Sequence, residues 1–281
     1  MDADAKAIES LKQYAGVSDK DIDLGGLALA MVALDHDGIS VDRYVRHFQK
    51  MSDEARGRYD VLICDGAQDD AGLRLAALKY TLSDIHDYRV DDIRHEALES
   101  ADIMRVIDRA KGCSSALCLL YIDVARKAGW LVEGLNFPNL FLCRLEYEGV
   151  RLIFDPSQQC KVLEAHELRA IVKNALGEQA ELSTDYYDGL GAREIVIHLC
   201  NHLKHRRIAM GDYCNALNMV LRMRMIVPDE YRLLLDAGVL CARLNRSKDA
   251  VEYLNEYITQ APDVYDRQEA ELLLDELLRD L

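Results

Sequence analysis

The sequence predicts an α+β, mostly helical fold, in which a helix-plus-antiparallel-sheet core is followed by helical hairpins. Three observations predict this fold. Residues 114–128 form one strongly apolar helical stretch, three short strand-like runs follow it, and the last third of the chain repeats with a period of 34 residues. A buried helix followed by strands that pair in sequence is typical of α+β proteins, and a 34-residue repeat is typical of stacked helical pairs.

The first part of the chain, residues 1–110, is predicted to be helical and to belong to the same domain as the core. Apolar side chains recur at helical spacing after Ser40 and again after Ser52, and serine is a preferred helix N-cap. We therefore predict one helix beginning near each serine. Two further helical segments are predicted over residues 72–82 and 102–109.

The core itself is predicted over residues 111–190. Its helix ends at Gly129, because glycine readily adopts the left-handed backbone that closes a helix. Strand-like runs follow at residues 131–135, 140–147 and 150–154. Glu148-Gly149 separates the last two runs and suits a two-residue hairpin turn, which makes those strands antiparallel.

Residues 191–281 are predicted to form helical repeats. Positions 34 residues apart carry similar side chains, namely Ala216 and Ala250, Val220 and Leu254, and Pro228 and Pro262. Small residues where paired helices approach and a proline at the end of each unit are typical of tetratricopeptide repeats. We place the units at residues 197–230 and 231–264, with a capping helix over residues 266–281.

Composition and charge exclude several classes of function. The net charge is −15, and the one dense basic run, residues 204–207, is interpreted as a solvated helix face, so we expect no nucleic-acid partner. The N-terminal ten residues lack the apolar core of a signal peptide, and the nearly apolar stretch 24–34 is too short to cross a bilayer. We expect a cytoplasmic protein with no membrane contact, whose protein or peptide partner carries a basic surface.

The eight cysteines support the same compartment. They contain no CxxC pair, and several fall within helical apolar patterns. This usage is typical of reduced, mostly buried cysteines in a cytosolic protein.

An ordered set of residues in the middle of the chain resembles the SirB family. The set comprises Lys111-Gly112, the helix 114–128, the run VEGLNFP at residues 132–138, Phe141-Leu142, Arg144 and Phe154-Asp155-Pro156, with Asp87-Tyr88 upstream. SirB proteins are bacterial and combine a transglutaminase-like (papain-like) core with C-terminal tetratricopeptide repeats. The resemblance covers most of residues 25–280 and implies this architecture for the chain.

The resemblance also implies where a Cys–His–Asp triad would stand. The cysteine position, two residues after Gly112, holds Ser114, and the histidine position, two residues after Pro138, holds Leu140. Only the aspartate is retained, as Asp155. Leucine cannot accept a proton, and serine without a base is a poor nucleophile. We therefore expect a pseudoenzyme that acts in protein–protein interaction or regulation and has no acyl-transfer activity.

A cysteine hydrolase or transferase with a rearranged site is the alternative. Its nucleophile would be Cys113, which stands at a helix N-terminus, and its base a histidine from elsewhere in the chain, for instance His166. Cys118, one turn further along, is predicted to lie in the core. Asp155 is interpreted as the first residue of an Asp-Pro turn held by its own side chain.

A metal or small-molecule sensor is the third alternative. His198, Cys200, His202 and His205 form the densest group of potential metal ligands, and the first and third share a helix face. Zinc needs further ligands, and no Glu stands between the histidines as a general base. We expect no metal and no cofactor, and no glycine-rich phosphate loop is present in the sequence.

Overall fold

The computed structural model describes residues 3–36, 38–92 and 97–279, and its centre is the buried helix that the sequence predicts. This helix, α6 (Ser114–Lys127), is buried from Ser115 to Ala125. Burial on all sides arises because α6 packs between helices on one side and a sheet on the other. The chain leaves the helix through Gly129 at φ +82°, as the sequence predicts.

The sheet is an antiparallel meander of four strands in sequence order. They are β3 (Leu131–Phe137), β4 (Leu140–Tyr147), β5 (Val150–Asp155) and β6 (Lys161–Val162). Glu148 and Gly149 both have positive φ, which is what the predicted two-residue turn between β4 and β5 requires. The three predicted strands are confirmed to within two residues at each end.

Two faces of the sheet have different neighbours. Phe141, Cys143 and Phe154 lie towards α6, where Phe154 stacks edge-on against the Tyr121 ring. The other face packs against α7 (Ala165–Leu176). Its apolar cluster contains the sheet residues Leu135, Phe137, Leu140 and Leu142 and, from α7 and the chain before it, Leu163, Leu168 and Val172.

Helices before the core form the remainder of this part of the fold. They are α2 (Leu24–Ala33), α3 (Asp42–Cys64), α4 (Ala71–Lys79), which continues as a π-helical turn over Tyr80–Ile85, and α5 (Ile103–Arg109). The prediction that Ser52 begins a helix is wrong, because Ser52 lies buried in the middle of α3. Buried side chains recur every three or four residues across it, so the apolar periodicity runs through without a break.

A short parallel strand pair was not predicted. β1 (Arg89–Val90) pairs with β2 (Lys111–Gly112), which directly precedes α6. Each strand has two residues, which is too short for a recognisable pattern of side chains. The pair fixes the path of the chain as it enters α6.

Contacts divide the chain into two units. The central unit is Ser18–Leu199, and the terminal unit is Met1–Val17 with Cys200–Leu281. The terminal unit contains α1 (Ala3–Ala15), the end of α8 (Ala192–Ala209), α9 (Tyr213–Ile226), α10 (Arg232–Arg243), α11 (Ser247–Gln260) and α12 (Val264–Arg279). From α9 onward each helix packs against the next, and α1 packs against α9.

The basic run 204–207 is not a solvated face, and that prediction is wrong. Lys204 and Arg207 are both buried. Lys204 Nζ lies 2.5 Å from an Asp236 carboxylate oxygen, and Arg207 Nη1 donates to the Asn215 carbonyl at 2.8 Å. These partners on α9 and α10 compensate the buried charges, which sequence spacing alone does not reveal.

Close approach of α10 and α11 depends on a glycine. A Cβ at Gly238 would lie 2.8 Å from Leu254 Cγ. We expect Gly238→Ala to destabilise the protein by about 1–3 kcal/mol, since either the Leu254 side chain or one of the two helices must shift. Gly57→Ala is the matched control on α3, where a Cβ meets nothing within 4 Å, and it should stabilise by roughly 0.5–1 kcal/mol. Urea unfolding measures both, and equal stability of the two variants would contradict the close contact.

Candidate functional site

Ser114, at the predicted nucleophile position, is the first residue of α6 and is half-buried. Two features fix the backbone just before Ser114. The Cys113 amide donates to the Ser100 carbonyl at 2.6 Å, and a Cβ at Gly112 would come within 2.9 Å of Val106. The helix N-terminus offers a partial positive charge to an anion. Within the described part of the chain, the Ser114 hydroxyl has no hydrogen-bond partner.

Asp155, at the predicted aspartate position, is fully buried and bonded to its own turn. One carboxylate oxygen accepts from the Ser157 amide at 2.8 Å and from the Ser157 hydroxyl at 2.6 Å. The other accepts from Gln158 Nε2 at 2.8 Å. These bonds close the short 3-10 turn Pro156–Gln158. Both oxygens therefore serve the local hydrogen bonding of an Asp-Pro turn.

Leu140, at the predicted histidine position, is the first residue of β4. Its side chain packs in the apolar cluster on the α7 face of the sheet. Three residues further along β4, the Cys143 side chain lies against α6, with its Sγ 3.9 Å from the Cys118 carbonyl oxygen. Since side chains alternate across a strand, Leu140 and the α6 contacts lie on opposite faces. The structure does not bring the Leu140 side chain together with the helix that carries Ser114.

The cysteines of the core are buried in apolar surroundings. Cys118 is fully buried, as predicted. Burial, and then the adjacent Cys143, raise the pKa of the Cys118 thiol well above its ordinary value. Burial likewise raises the pKa of Cys160 to about 12. These thiols remain protonated at neutral pH and are poor nucleophiles.

Cys113, the alternative nucleophile, is 8% exposed at the start of α6. Among the residues that the structure describes, no histidine is hydrogen-bonded to its sulfur. His166, the suggested base, lies exposed on the first turn of α7. The structure therefore provides no Cys113–histidine pair among these residues.

His198 and His202 lie on α8 as the sequence predicts. The His198 ring packs against Phe141 with centroids 4.9 Å apart, and burial lowers its pKa. Over residues 3–36, 38–92 and 97–279, no three His, Cys, Asp or Glu side chains converge closely enough to hold a metal ion. In the same ranges, no helix combines the length and the apolar character needed to span a bilayer.

A cluster of titratable groups joins α3 to the segment that carries His86 and Tyr88, and it was not predicted from the sequence. Glu54 and His86 are joined at 2.5 Å, the His86 and His47 rings meet edge-on at 5.2 Å, and His47 Nε2 lies 2.9 Å from the Tyr88 hydroxyl. The i, i+7 spacing of His47 and Glu54 on one helix face was a visible signal. Their partners, His86 and Tyr88, stand more than 30 residues further along the chain, and the sequence contains no pattern that links them to α3.

The His47 environment predicts that stability depends on pH. Burial, and then the nearby His86, lower the pKa of His47. The unfolded chain therefore binds a proton here before the folded chain does, so stability falls as pH drops below the ordinary histidine pKa of about 6.5. We expect the free energy of unfolding of His47→Gln to fall less between pH 7.5 and pH 5 than that of the wild type.

Urea unfolding at the two pH values measures this difference. The control is His166→Gln, which removes an exposed histidine and should keep the wild-type pH dependence. If His47→Gln and the wild type lose stability in parallel, His47 is not the titrating group.

Comparison with known proteins agrees with this architecture. Residues 42–201 match the family model described as "Transglutaminase-like superfamily", and the chain belongs to this superfamily. Its relatives include a UPF0162 protein of Xylella fastidiosa strain Temecula1, which is 24% identical over 196 residues, or 69% of this chain and 70% of the relative. A UPF0162 protein of Vibrio cholerae is 24% identical over 164 residues, covering 58% and 61% of the two chains.

Proposed function

We propose that this chain is a non-catalytic member of the superfamily, of the SirB type, that acts in the cytoplasm in protein–protein interaction or regulation. The observation that carries the proposal is the placement of Leu140. The position expected to hold the catalytic base has an apolar side chain, and that side chain faces away from α6. Without a base the Ser114 hydroxyl is not activated for attack on a carbonyl.

The surroundings of Asp155 support the same proposal. In a triad, the aspartate orients the histidine through a hydrogen bond. Here both carboxylate oxygens accept from Ser157 and Gln158. The raised pKa values of Cys118 and Cys160 further disfavour thiolate chemistry in the core.

An interaction role is supported by the terminal unit. Its consecutive helices form a layered stack, and Ala216, Gly238 and Ala250 are small residues buried within it. We interpret these helices as tetratricopeptide-like repeats, which bind protein or peptide partners along an extended helical surface. The charge of −15 favours a partner with a basic surface.

Thiol reactivity tests the proposal. Full-length protein is treated with iodoacetamide near pH 6, and each cysteine is quantified by mass spectrometry. The exposed Cys64 and Cys214 serve as internal controls, because cysteines that no neighbouring group activates react slowly near pH 6. We expect Cys113 to react no faster than these controls, and we expect no transfer of a fluorescent primary amine to a glutamine-containing peptide.

A different result would favour the cysteine enzyme. Labelling of Cys113 about ten-fold faster than the controls, or amine transfer that Cys113→Ala abolishes, would overturn the non-catalytic proposal. Amine transfer that persists in Cys113→Ala but is lost in Ser114→Ala would also overturn it, with Ser114 as the nucleophile.

A further inference from the structure

Helix α12 exposes much apolar surface on its outer side. The side chains of Val264, Tyr265, Leu272 and Leu278 are 54%, 77%, 68% and 53% exposed. Grouped, exposed apolar side chains rimmed by polar residues mark interaction sites.

The opposite face of α12 already serves the core of the terminal unit. Ala270 is buried in a cluster with Leu234, Leu254, Tyr257 and Ala261. Leu273, Leu274 and Leu277 pack against that cluster. The four exposed apolar side chains are therefore additional to those that the unit's own packing uses.

The exposed face has a regular pattern. Residues separated by 4, 7, 11 or 14 positions lie along one side of a helix. One such stripe contains Tyr265, Glu269, Leu272 and Glu276, and the other contains Val264, Glu271, Asp275 and Leu278. Each stripe thus combines two apolar side chains with two carboxylates.

Negative charge exceeds positive charge on this face, because the four carboxylates of the two stripes outnumber Arg279, the basic residue of the last turn, which follows Asp275 by four positions. Glu271, Asp275 and Glu276 are exposed, and none forms an ion pair with another residue in the described part of the chain. The whole chain also carries an excess of acidic residues. A ligand that buried the apolar side chains would place its own flanking groups beside these carboxylates, and basic groups are the favourable choice.

We propose that the outer face of α12 binds a cationic amphipathic helix from a partner protein. Leu or aromatic side chains of that helix would contact Tyr265 and Leu272, and its Lys or Arg side chains would pair with the carboxylates of the two stripes. Recognition of an amphipathic helix through anchors at i, i+3, i+4 and i+7 is a recurring mode of binding. The proposal rests on the proposed interaction function and deepens it by naming the surface and the class of partner.

A defined probe tests this surface. Full-length protein is titrated with a fluorescent helical peptide of roughly 18 residues, made of Leu on one face and Lys on the other, and binding is followed by anisotropy at two salt concentrations. We expect Tyr265→Ser with Leu272→Ser to weaken binding about ten-fold. Glu271→Gln with Asp275→Asn should weaken it several-fold and reduce its salt dependence.

A matched control distinguishes binding at the α12 face from non-specific attraction of the cationic peptide to an acidic protein. Leu176→Ser on α7 removes a leucine that is 60% exposed, close to the 68% of Leu272, and should leave the Kd for the peptide unchanged. All these side chains are exposed, so each variant should melt within about 0.5 kcal/mol of the wild type, which verifies folding.

Two results would overturn the proposal. One is equal affinity of the Tyr265/Leu272 variant and the Leu176 control. The other is a dimer of the free chain that Leu272→Ser dissociates, which would assign the face to a second copy. Neither result affects the non-catalytic proposal, which depends on the thiol and amine-transfer measurements.

Discussion

Leu119→Asp should abolish soluble expression. Leu119 is fully buried in α6, between the sheet and the N-terminal helices. An ionised carboxylate without a partner costs many kcal/mol in such surroundings, and an entire domain is stable by only about 5–15 kcal/mol. Solubility after lysis and, for any soluble fraction, thermal melting measure the effect.

Two further variants make this result interpretable. Leu119→Ala should fold with a loss of about 2–5 kcal/mol, because it leaves a cavity without a charge. Leu131→Asp, at an exposed position of β3, should remain soluble. A Leu119→Asp protein that melts like the wild type would show that α6 is not the buried centre of the fold.

Lys127→Met should destabilise the protein by about 3 kcal/mol or more, because it leaves a buried carboxylate unpaired. Asp123 is 2% exposed and accepts from the Gly25 amide at 2.8 Å. Lys127 Nζ lies 2.7 Å from both Asp123 and Asp23. Methionine keeps an apolar side chain of similar length but lacks the Nζ cation, which also lies 5.1 Å from the Phe48 ring centroid, so the variant removes the charge with little loss of bulk.

The pH dependence identifies the group responsible. Burial raises the pKa of Asp123, and Lys127 opposes this rise. Without Lys127 the pKa rises further, so folded Asp123 keeps a proton that the unfolded chain loses above about pH 4. The stability lost in Lys127→Met should therefore be smaller at pH 4 than at pH 7.

Lys50→Met is the control for Lys127→Met. It removes a 3.6 Å surface pair with Glu54 and should cost at most about 1 kcal/mol. A loss in Lys127→Met that is no larger than the loss in Lys50→Met at pH 7 would contradict a buried ion pair at Asp123.

Elements with strong local signals could be predicted from the sequence. The apolar run of α6, Gly129 and the Glu148-Gly149 turn each act over a few residues, and they place the helix and three strands to within two residues. Features set by distant contacts could not be predicted. The β1–β2 pair joins residues 22 positions apart, and burial of Lys204 depends on Asp236.

The sequence does not give the orientation of the side chains at the candidate site. Counting from Gly112 and Pro138 places Ser114 and Leu140 at the expected triad positions. It does not say which face of β4 meets α6, because Leu140, Phe141 and Leu142 are all apolar. Only packing against α7 distinguishes the two faces. The same limit applies to the His47 cluster, whose members come from separate segments.

The position of Leu140 also limits how this lineage could change. A single substitution of the half-buried Leu140 by histidine would place a polar imidazole against the apolar cluster of Leu135, Leu142 and Val172, on the face of the sheet away from α6. Asp155 could orient that ring only if its bonds to Ser157 and Gln158 were first broken. A Cys–His–Asp triad at these positions would thus need changes at Ser114 and Leu140 together with new partners for Asp155, and no single substitution would create it.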